Sequence, residues 1–573
     1  MQKRTAIALL ISGLTAAGLY RYRRRLVSRL LGLPPALHDV AVERGLSVPM
    51  PDGVELVADR HFPRAPGCFP TVLVRTPYGR KNPQTVFGCR RLAERGYNVV
   101  VQDVRGRFDS QREFGFLKGE DADGRATMDW VSGQPWFDGS LGLWGESYLG
   151  YAQWAAAPKA PDYLKALMPE ITASHFYPVL YPDGAFNMDV SLPVTLLIEG
   201  QDDDAGASFS KDFLLLWIQL KLRRGFMRLP VGEADMHVSG RPNALYRDLL
   251  AHPQARDAYW RDRDQSHRVR KVEAPAHLFG GWYDIFLREL LDDYAALVAA
   301  GKTPYLTVGP YPHGSFGGLK EGLRETFAWF DLHLKGEAHK ARTKPVRRYV
   351  MGADEWRELD AWPPPAEETR FHLHPDGQLS PESPPADAPP DRYRYDPADP
   401  TPAVGGALFG FSGKRGAVDN RELEARPDVL VYTTPPLRED VEVIGPVRLE
   451  LYAGSNLAHT DFFGRLCDVR PDGESINVCD GLFRLEPGKI EPQPDGSSRV
   501  EIDMWATAYR FRRGHRLRLQ VSSGAHPRWN RNLGTEEPTP TATTMLAAEQ
   551  TVYHDREHPS AVVLPVTVPT SRT

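Results

Sequence analysis

The sequence is poor in cysteine, balanced in charge and without an apolar run of full transmembrane length. Four cysteines in 573 residues exclude a small disulfide-held scaffold, and buried free thiols are their expected state. A Cys467–Cys479 disulfide is the alternative in an oxidising compartment. With 70 basic and 74 acidic residues, the net charge of −4 excludes the overall basic field of a nucleic-acid-binding protein. No His, Cys and Asp residues share the spacing of a metal site. We therefore expect no nucleic-acid partner, no metal and no other cofactor.

The first 30 residues combine an apolar stretch with a cluster of arginines. The 16 mostly apolar residues from Thr5 to Tyr20 fall short of the roughly 20 that span a bilayer. Arginines follow, and no clear small-x-small cleavage site is present. Three interpretations stay open: a packed hydrophobic helix, a membrane tether through residues 5–20, and a cleaved export signal. Because positive charge tends to remain cytoplasmic, a tethered chain would keep its bulk in the cytoplasm.

Residues 40–170 and 270–342 alternate short β-branched runs with helical patterns. Thr71–Val74, Tyr97–Val101 and Leu141–Trp144 are predicted strands, and Leu287–Ala300 has the apolar spacing of a helix. Such alternation is typical of βαβ units around a mainly parallel sheet. The sequence therefore predicts an α/β domain built from these two stretches.

Two further regions have a different character. Residues 171–269 contain the helical apolar run Phe213–Leu222 and few strand signals, which predicts a helical cap inserted into the α/β domain. In residues 345–573, prolines between Pro363 and Pro402 indicate a linker or edge loops. Short alternating runs separated by Gly, Asp and Pro follow, and they predict a C-terminal all-β sandwich of jelly-roll type.

The most informative motif surrounds Ser147. The segment Gly145-Glu-Ser-Tyr-Leu-Gly150 lies between a predicted strand and a helix of small residues, as a nucleophile elbow requires. Glycine usually occupies the second position after the nucleophile, but here Leu149 stands there and the glycine comes one place later. A plain turn serine is the alternative interpretation.

Candidate partners of Ser147 follow two later strands. Asp284 and His313 lie 29 residues apart, which is one strand–helix repeat, and they complete the order Ser, acid, His of an α/β hydrolase. Asp284 as a helix cap and His313 as a loop residue are the alternatives. After an earlier strand, Tyr78 offers a phenol donor where an oxyanion-hole loop is expected, although it could equally be a buried aromatic residue.

Together these motifs resemble the CocE/NonD family, which comprises cocaine-esterase-like and Xaa-Pro dipeptidyl-peptidase-like serine hydrolases. The resemblance covers nearly the whole chain and rests on four motifs in order: Arg75-Thr-Pro-Tyr78, Gly145-Glu-Ser-Tyr-Leu-Gly150, Gly280-Gly-Trp-Tyr-Asp284 and Gly309-Pro-Tyr-Pro-His313. It implies an α/β-hydrolase fold with a jelly-roll domain. It also implies that Ser147 is the nucleophile, that His313 is the general acid and base, and that Asp284 orients the imidazole.

The resemblance extends to the oxyanion hole and the acyl pocket. The Tyr78 hydroxyl and the Tyr148 backbone N–H would hold the oxyanion. Phe286, two places after the acid, would line the acyl pocket. Trp282 also flanks the acid, but a core position suits it better.

The predicted activity is hydrolysis of carboxylic esters, with amides as a less favoured substrate class. An α-amino acid ester hydrolase or acyltransferase and an Xaa-Pro dipeptidyl-peptidase are alternatives, but both need an anchor for a substrate ammonium. Ile285, Phe286 and Leu287, not carboxylates, follow Asp284. A catalytically inactive α/β fold with a ligand-binding β domain is the alternative of another class. A small-molecule substrate and a homo-oligomer are further expectations.

Overall fold

The structure is a computed structural model that describes residues 24–200, 211–340 and 342–567. The apolar stretch at residues 5–20 lies outside these ranges, so the membrane tether and the export signal stay predictions. Within the described ranges, no helix combines the length and apolar character that a membrane crossing requires. All four cysteines are free thiols; Cys89 and Cys467 are buried as expected, whereas Cys68 is exposed and Cys479 is partly buried.

Helices alternate with strands in the first half of the chain, and strands dominate the second half. The strands in chain order are β1 (Val40–Pro49), β2 (Glu55–Pro63), β3 (Phe69–Thr76), β4 (Asn98–Asp103), β5 (Phe137–Glu146), β6 (Leu164–Glu170), β7 (His277–Tyr283), β8 (Tyr305–Pro312), β9 (Val346–Val350), β10 (Glu355–Leu359), β11 (Glu367–His374), β12 (Gln378–Ser380), β13 (Asp391–Tyr395), β14 (Leu430–Thr433), β15 (Val441–Ser455), β16 (Thr460–Val469), β17 (Ser475–Leu485), β18 (Ser498–Phe511), β19 (Arg516–Ser522), β20 (Ala548–Tyr553) and β21 (Ala561–Val566).

The helices range from 4 to 18 residues in length. In chain order they are α1 (residues 24–31), α2 (Pro83–Ala93), α3 (Glu120–Ser132), α4 (Tyr148–Ala156), α5 (Tyr177–Leu180), α6 (Met188–Gly200), α7 (Lys211–Phe226), α8 (Ala234–Ser239), α9 (Ala244–Ala251), α10 (Ala258–Arg261), α11 (Ser266–Val269), α12 (Leu287–Ala299), α13 (Phe316–His333) and α14 (Arg421–Glu424).

The chain divides into two compact units. Among the described residues, the first comprises those within 24–170, 271–277 and 314–343, and the second comprises those within 171–270, 278–313 and 344–567. In the first unit the strand order is β1-β2-β4-β3-β5-β6. Strands β3, β4, β5 and β6 pair in parallel, whereas β1 and β2 add an antiparallel edge. The predicted α/β fold class is therefore confirmed.

The core of the first unit forms because its central strands are buried on both faces. Every residue of β4, Asn98–Asp103, is buried, and three consecutive valines fill its middle. Such β-branched runs are typical of central parallel strands that are covered on both sides. On α13, Trp329 donates its indole N–H to the Leu167 carbonyl at 2.9 Å, which holds this helix to β6.

The second unit contains the helical region and the all-β region. Helices α5 to α11 occupy the described part of residues 171–270, which agrees with the helical character expected there. The strands from β11 onward form a sheet in which the 15-residue β15 pairs with β18, β20 and β21. Inward and outward residues alternate along the first half of β18, as one-sided packing requires. The predicted C-terminal all-β domain is confirmed.

The prolines between Pro363 and Pro402 lie in turns and loops, as the edge-loop interpretation expected, and the stretch is not a linker. Strands β11, β12 and β13 lie between Pro363 and Pro402, and β11 pairs with both β12 and β21. The prolines stand outside these strands, in the turns and loops that connect them. Since proline cannot donate to a β-ladder, it is disfavoured in strand interiors but tolerated at their ends. The edge-loop interpretation therefore describes the prolines, whereas the linker interpretation is wrong because three strands lie among them.

One buried carboxyl group ties the beginning of the helical region to α12. Ser174 donates its backbone N–H and its hydroxyl to Asp293, at 2.8 and 2.5 Å. Burial raises the pKa of Asp293 to about 8, and the neighbouring carboxylates of Asp292 and Glu289 act in the same direction. At neutral pH the group is therefore mostly protonated.

Replacing this carboxyl group should remove a pH dependence of stability. Because the pKa of Asp293 is raised on folding, protonated Asp293 stabilises the folded state. Its contribution to the free energy of unfolding is complete below about pH 4 and is lost as the pH rises towards 8, by about 1.4 kcal/mol per pH unit. We expect the melting temperature of Asp293→Asn, relative to wild type, to rise between pH 5 and pH 8. Thermal unfolding at several pH values measures this. The exposed Asp162→Asn is the control, and a pH-independent difference for Asp293→Asn would contradict the assignment.

Candidate functional site

Ser147 occupies a sharp turn between a strand and a helix of the first unit. Strand β5 ends at Glu146, helix α4 begins at Tyr148, and Ser147 between them has φ 57° and ψ −124°. A non-glycine residue with such angles is strained by about 1–3 kcal/mol and persists only where its surroundings enforce it. Strain of this kind is typical of a nucleophile elbow, in which the serine hydroxyl is exposed above the sheet.

The departure from the usual elbow pattern has a steric explanation. Gly145 has φ 147°, and a Cβ atom built on it would lie 2.4 Å from the Cβ of Leu149. The residues two before and two after the nucleophile therefore approach too closely for both to carry side chains. Leucine is tolerated at position 149 because glycine is kept at position 145.

Two buried residues around the elbow were not identified from the sequence. Gln153 donates its side-chain amide to the Gly145 and Met168 carbonyls, both at 3.2 Å, and accepts from the Met168 N–H at 3.1 Å. It thereby connects β5, α4 and β6. Glu170 accepts the Ser147 N–H at its backbone carbonyl, 3.0 Å away. No spacing rule distinguishes such a glutamine from a surface one.

The Glu170 carboxyl group behind the elbow is also hydrogen-bonded. It accepts from Trp144 Nε1 at 3.0 Å and from the Thr326 hydroxyl at 2.6 Å. Burial raises the pKa of Glu170 to about 7, while these two hydrogen bonds oppose the shift. The carboxyl group therefore has a structural role around β6.

Tyr78 lies in the loop after β3, and its phenol reaches the elbow. The Tyr78 oxygen hydrogen-bonds with the Ser147 side chain and accepts the Tyr148 backbone N–H. Burial raises the pKa of Tyr78 to about 12, so the phenol keeps its proton at neutral pH and remains a hydrogen-bond donor. The residues predicted as nucleophile and oxyanion hole thus lie together in the first unit.

An arginine cluster holds the Tyr78 loop. Arg80 is buried and forms ion pairs with Asp59, at 3.0 Å, and with Asp103 and Asp109. Arg107, from the loop after β4, donates Nε to the Pro77 carbonyl at 2.8 Å. These contacts fix the backbone on both sides of Tyr78.

The Tyr148 side chain anchors the first turn of α4. Its hydroxyl donates to Glu120 at 2.8 Å, and Glu120 also pairs with Arg75 at the end of β3. Burial, followed by the Glu120 charge, raises the pKa of the Tyr148 phenol well above its usual value, so this group stays neutral. The Tyr148 side chain is therefore structural, and its backbone N–H is the group that reaches Tyr78.

Asp284 and His313 form a hydrogen-bonded pair in the second unit. His313 Nδ1 lies 2.9 Å from Asp284 Oδ2, and Asp284 Oδ1 accepts the Phe286 N–H at 2.9 Å. Both groups are buried. With Nδ1 engaged by the carboxylate, Nε2 is the imidazole nitrogen that can exchange a proton, as in serine hydrolases.

The glycines of the Gly-Gly-Trp-Tyr-Asp motif make this pair sterically feasible. A Cβ atom at Gly281 would lie 2.0 Å from the Tyr311 carbonyl oxygen. Only glycine lets β7 approach the end of β8 this closely, and Asp284 and His313 follow these two strand segments. The motif is therefore explained by close backbone packing beside the pair.

The two aromatic residues predicted near the acid have different surroundings. The Phe286 ring lies 5.6 Å from the His313 ring and 4.8 Å from that of Phe176. Trp282 instead packs on Trp362, 5.4 Å between ring centroids, and donates Nε1 to the Tyr349 carbonyl at 2.7 Å. The structure thus brings Phe286 to the Asp284–His313 pair and places Trp282 in a separate aromatic cluster.

A loop of the β region also reaches His313, and sequence reasoning missed it. The Phe409 ring lies 5.5 Å from the His313 ring. Arg415 donates to the His313 carbonyl and to the Phe409 carbonyl, the latter at 3.0 Å. The sequence feature that could have indicated this loop is the glycine-rich segment at residues 405–416, in which two phenylalanines stand among the glycines. In the described part of the chain, no three His, Cys, Asp or Glu side chains are grouped as a metal site.

Comparison with protein families identifies both halves of the chain. Residues 52–315 match the family described as X-Pro dipeptidyl-peptidase (S15 family). Residues 338–563 match the X-Pro dipeptidyl-peptidase C-terminal non-catalytic domain. The two matches follow one another along the chain and correspond to the α/β and all-β regions.

Individual relatives agree with this assignment. The chain is 34% identical to the cocaine esterase of Rhodococcus sp. (strain MB1 Bresler), over 92% of this chain and 98% of that protein. An aminopeptidase from a marine sediment Thaumarchaeota archaeon has the same fold, with TM-score 0.77, 24% identity and coverage of 93% and 97%. An α-amino acid ester hydrolase does too, with TM-score 0.79, 23% identity and coverage of 92% and 97%. The chain therefore belongs to the CocE/NonD family of serine hydrolases.

Proposed function

We propose that this protein is a serine esterase that cleaves carboxylic esters through an acyl-enzyme. Ser147 is the nucleophile, His313 the general base and acid, and Asp284 the residue that orients the imidazole. Tyr78 and the Tyr148 N–H form the oxyanion hole. The observation that carries the proposal is the Tyr78 phenol, which meets the Ser147 side chain and the Tyr148 N–H at a strained elbow.

The first half-reaction transfers the acyl group to the enzyme. His313 accepts the Ser147 hydroxyl proton as the oxygen attacks the ester carbonyl, and the Asp284 carboxylate stabilises the imidazolium. The oxyanion receives hydrogen bonds from the neutral Tyr78 phenol and from the Tyr148 N–H. His313 then protonates the departing alcohol. In the second half-reaction water repeats these steps, and the carboxylic acid leaves.

The surroundings of His313 favour an uncharged, aromatic acyl group. Phe286 and Phe409 lie beside the imidazole, and Phe176 extends this apolar surface. Aromatic rings of this kind accommodate apolar groups by burial and by offset or edge-to-face packing. The similarity to a protein named cocaine esterase supports an ester substrate of small-molecule size.

Substrates with a free amino group are a less favoured alternative. They need a carboxylate that is available to an ammonium. Glu289, the first carboxylate after Asp284 in the chain, pairs instead with Arg288 at 3.1 Å. An α-amino acid ester hydrolase or an Xaa-Pro dipeptidyl-peptidase that used Glu289 as its anchor would have to break this ion pair. The strained conformation of Ser147 and the hydrogen bond between Asp284 and His313 support an active enzyme over an inactive fold.

Removing the nucleophile should abolish activity. Ser147→Ala should lower kcat for p-nitrophenyl acetate by a factor on the order of 10⁶, because no other group can form the acyl-enzyme. Labelling by a fluorophosphonate should be lost with it. Ser140→Ala, on the same strand, should retain both. If folded wild type is not labelled, or Ser147→Ala keeps its turnover, the proposal is wrong.

Removing the Tyr78 hydroxyl should slow turnover without preventing substrate binding. Tyr78→Phe should lower kcat by about 10²–10³ with a small change in KM, since the lost donor acts on the transition-state oxyanion. Tyr163→Phe, which removes a phenol hydroxyl near the surface, is the matched control. A kcat loss of less than about threefold in Tyr78→Phe would refute the oxyanion role.

The roles predicted for Phe286 and Trp282 can be distinguished by measuring acyl preference. Phe286→Leu should reduce kcat/KM for p-nitrophenyl benzoate relative to p-nitrophenyl acetate by about tenfold, because a ring contact beside His313 is lost. Trp282→Phe should leave this ratio unchanged, since Trp282 packs on Trp362 instead. A shift of the ratio in the tryptophan variant alone would reverse the assignment.

A further inference from the structure

The loop that reaches His313 is closed at its base by its own backbone. We call residues 405–416 the glycine loop. Gly406 and Gly416 exchange two backbone hydrogen bonds, of 2.8 and 2.9 Å, which join the two ends of the loop. Nearer the tip, Gly410 has φ 113°, a conformation that favours glycine. Because glycine leaves the backbone conformationally free, the position of the neighbouring Phe409 depends on the side chains that bind its backbone.

Side chains bind both backbone polar groups of Phe409. Asp189, in the first turn of α6, accepts the Phe409 N–H at its carboxyl oxygen Oδ2, 2.5 Å away. Arg415 donates to the Phe409 carbonyl at 3.0 Å, and it also donates to the His313 carbonyl. The peptide groups on either side of the Phe409 ring are thus held, one by the helical region and one by the arginine that contacts the histidine backbone.

The backbone around Asp189 is itself fixed. The Asp189 N–H donates to the Pro527 carbonyl at 3.1 Å. Phe186 exchanges two hydrogen bonds with Asn530: its N–H donates to Asn530 Oδ1, and its carbonyl accepts the Asn530 N–H, both at 2.8 Å. The start of α6 is therefore attached to the segment that follows β19, and Asp189 is a firm support for the glycine loop.

The buried carboxyl group of Asp189 needs an explanation beyond packing. Asp189 is 0% exposed, and burial raises its pKa, while contacts with Ser412 and with the Phe409 N–H oppose the shift. Ser412 also belongs to the glycine loop, so two residues of this loop contact the same carboxyl group. Burying a polar group is costly unless it is hydrogen-bonded, and an apolar side chain at position 189 would avoid that cost. The contact with the loop accounts for a carboxyl group at this position.

We propose that Asp189 is a positioning residue for acyl specificity. By binding the Phe409 N–H it holds the Phe409 ring 5.5 Å from the His313 ring, and it thereby sets the preference for aromatic over short aliphatic acyl groups. This inference rests on the proposed esterase function. It adds a residue of the helical region that acts through Phe409 and not by contact with the reacting atoms.

The test compares kcat/KM for p-nitrophenyl benzoate with that for p-nitrophenyl acetate in the full-length protein. Asp189→Ser, whose shorter side chain does not reach the Phe409 N–H, should lower the benzoate-to-acetate ratio by about fivefold, because the ring is no longer held. Asp189→Asn keeps a side-chain oxygen that accepts this N–H, so its ratio should stay within about twofold of wild type.

Asp235→Ser is the matched control. Asp235 is likewise 0% exposed in the helical region and accepts a backbone N–H, that of Asn243 at 2.8 Å. Because this hydrogen bond lies outside the glycine loop, the control should keep the wild-type ratio.

A double-mutant cycle separates positioning from a general loss of stability. Phe409→Leu should lower the same ratio, and Asp189→Ser should then add nothing, because the ring that it positions is gone. A merely structural role would lower hydrolysis of both esters alike, with or without the Phe409 ring. Asp189→Leu, which also lacks an acceptor, provides the same test if the serine variant does not fold.

Four results would overturn the proposal. The ratio could be unchanged in the folded Asp189→Ser or Asp189→Leu protein, Asp189→Asn could shift it as far as these variants do, Asp235→Ser could shift it equally, or the effect could persist in full on Phe409→Leu. Retained turnover in Ser147→Ala would instead refute the esterase proposal. Since Ser147 is intact in every variant of the Asp189 test, the two failures are distinguishable.

Discussion

The positive φ of Ser147 is the constraint around which the first unit is arranged. A strained serine is retained only because its neighbours leave it no relaxed conformation. The Glu170 carbonyl holds its N–H, Gln153 binds the backbone on either side of it, and Gly145 provides the space that the turn needs. Each contact involves β5, β6 or α4, so the parallel sheet and the elbow support one another.

Buried polar groups position the backbone and side chains of the site, and burial keeps several of these groups uncharged. The pKa values of Tyr78, Glu170 and Asp293 are all raised because solvent is excluded from them. A protonated phenol or carboxyl group can donate a hydrogen bond that its anion cannot. Where a charge is retained, as on Arg80, several carboxylates surround it. The side chains are thus oriented by neutral hydrogen-bond donors and by charges that are paired with opposite charges.

Sequence reasoning was sufficient where the signal is local. The β-branched runs predicted strands β3 and β4. The motifs around residues 78 and 147 identified the residues that meet at the elbow. The motifs around residues 284 and 313 identified the hydrogen-bonded Asp284–His313 pair. Prolines between residues 363 and 402 left a linker and edge loops open, because composition does not reveal whether strands lie among the prolines. Gln153, Glu120 and Arg415 were missed because their roles arise from contacts between residues distant in sequence.

The contact between positions 145 and 149 has a consequence for how this elbow can vary among related proteins. Position 145 requires glycine on two grounds: its φ of 147° favours glycine, and a Cβ atom there would lie 2.4 Å from the Cβ of Leu149. Because glycine at 145 already provides the space, position 149 is free to carry a side chain. A side chain at 149 in turn adds a steric reason for glycine at 145 to the conformational one. Pattern searches that require glycine after the nucleophile will overlook enzymes in which the earlier glycine provides this space.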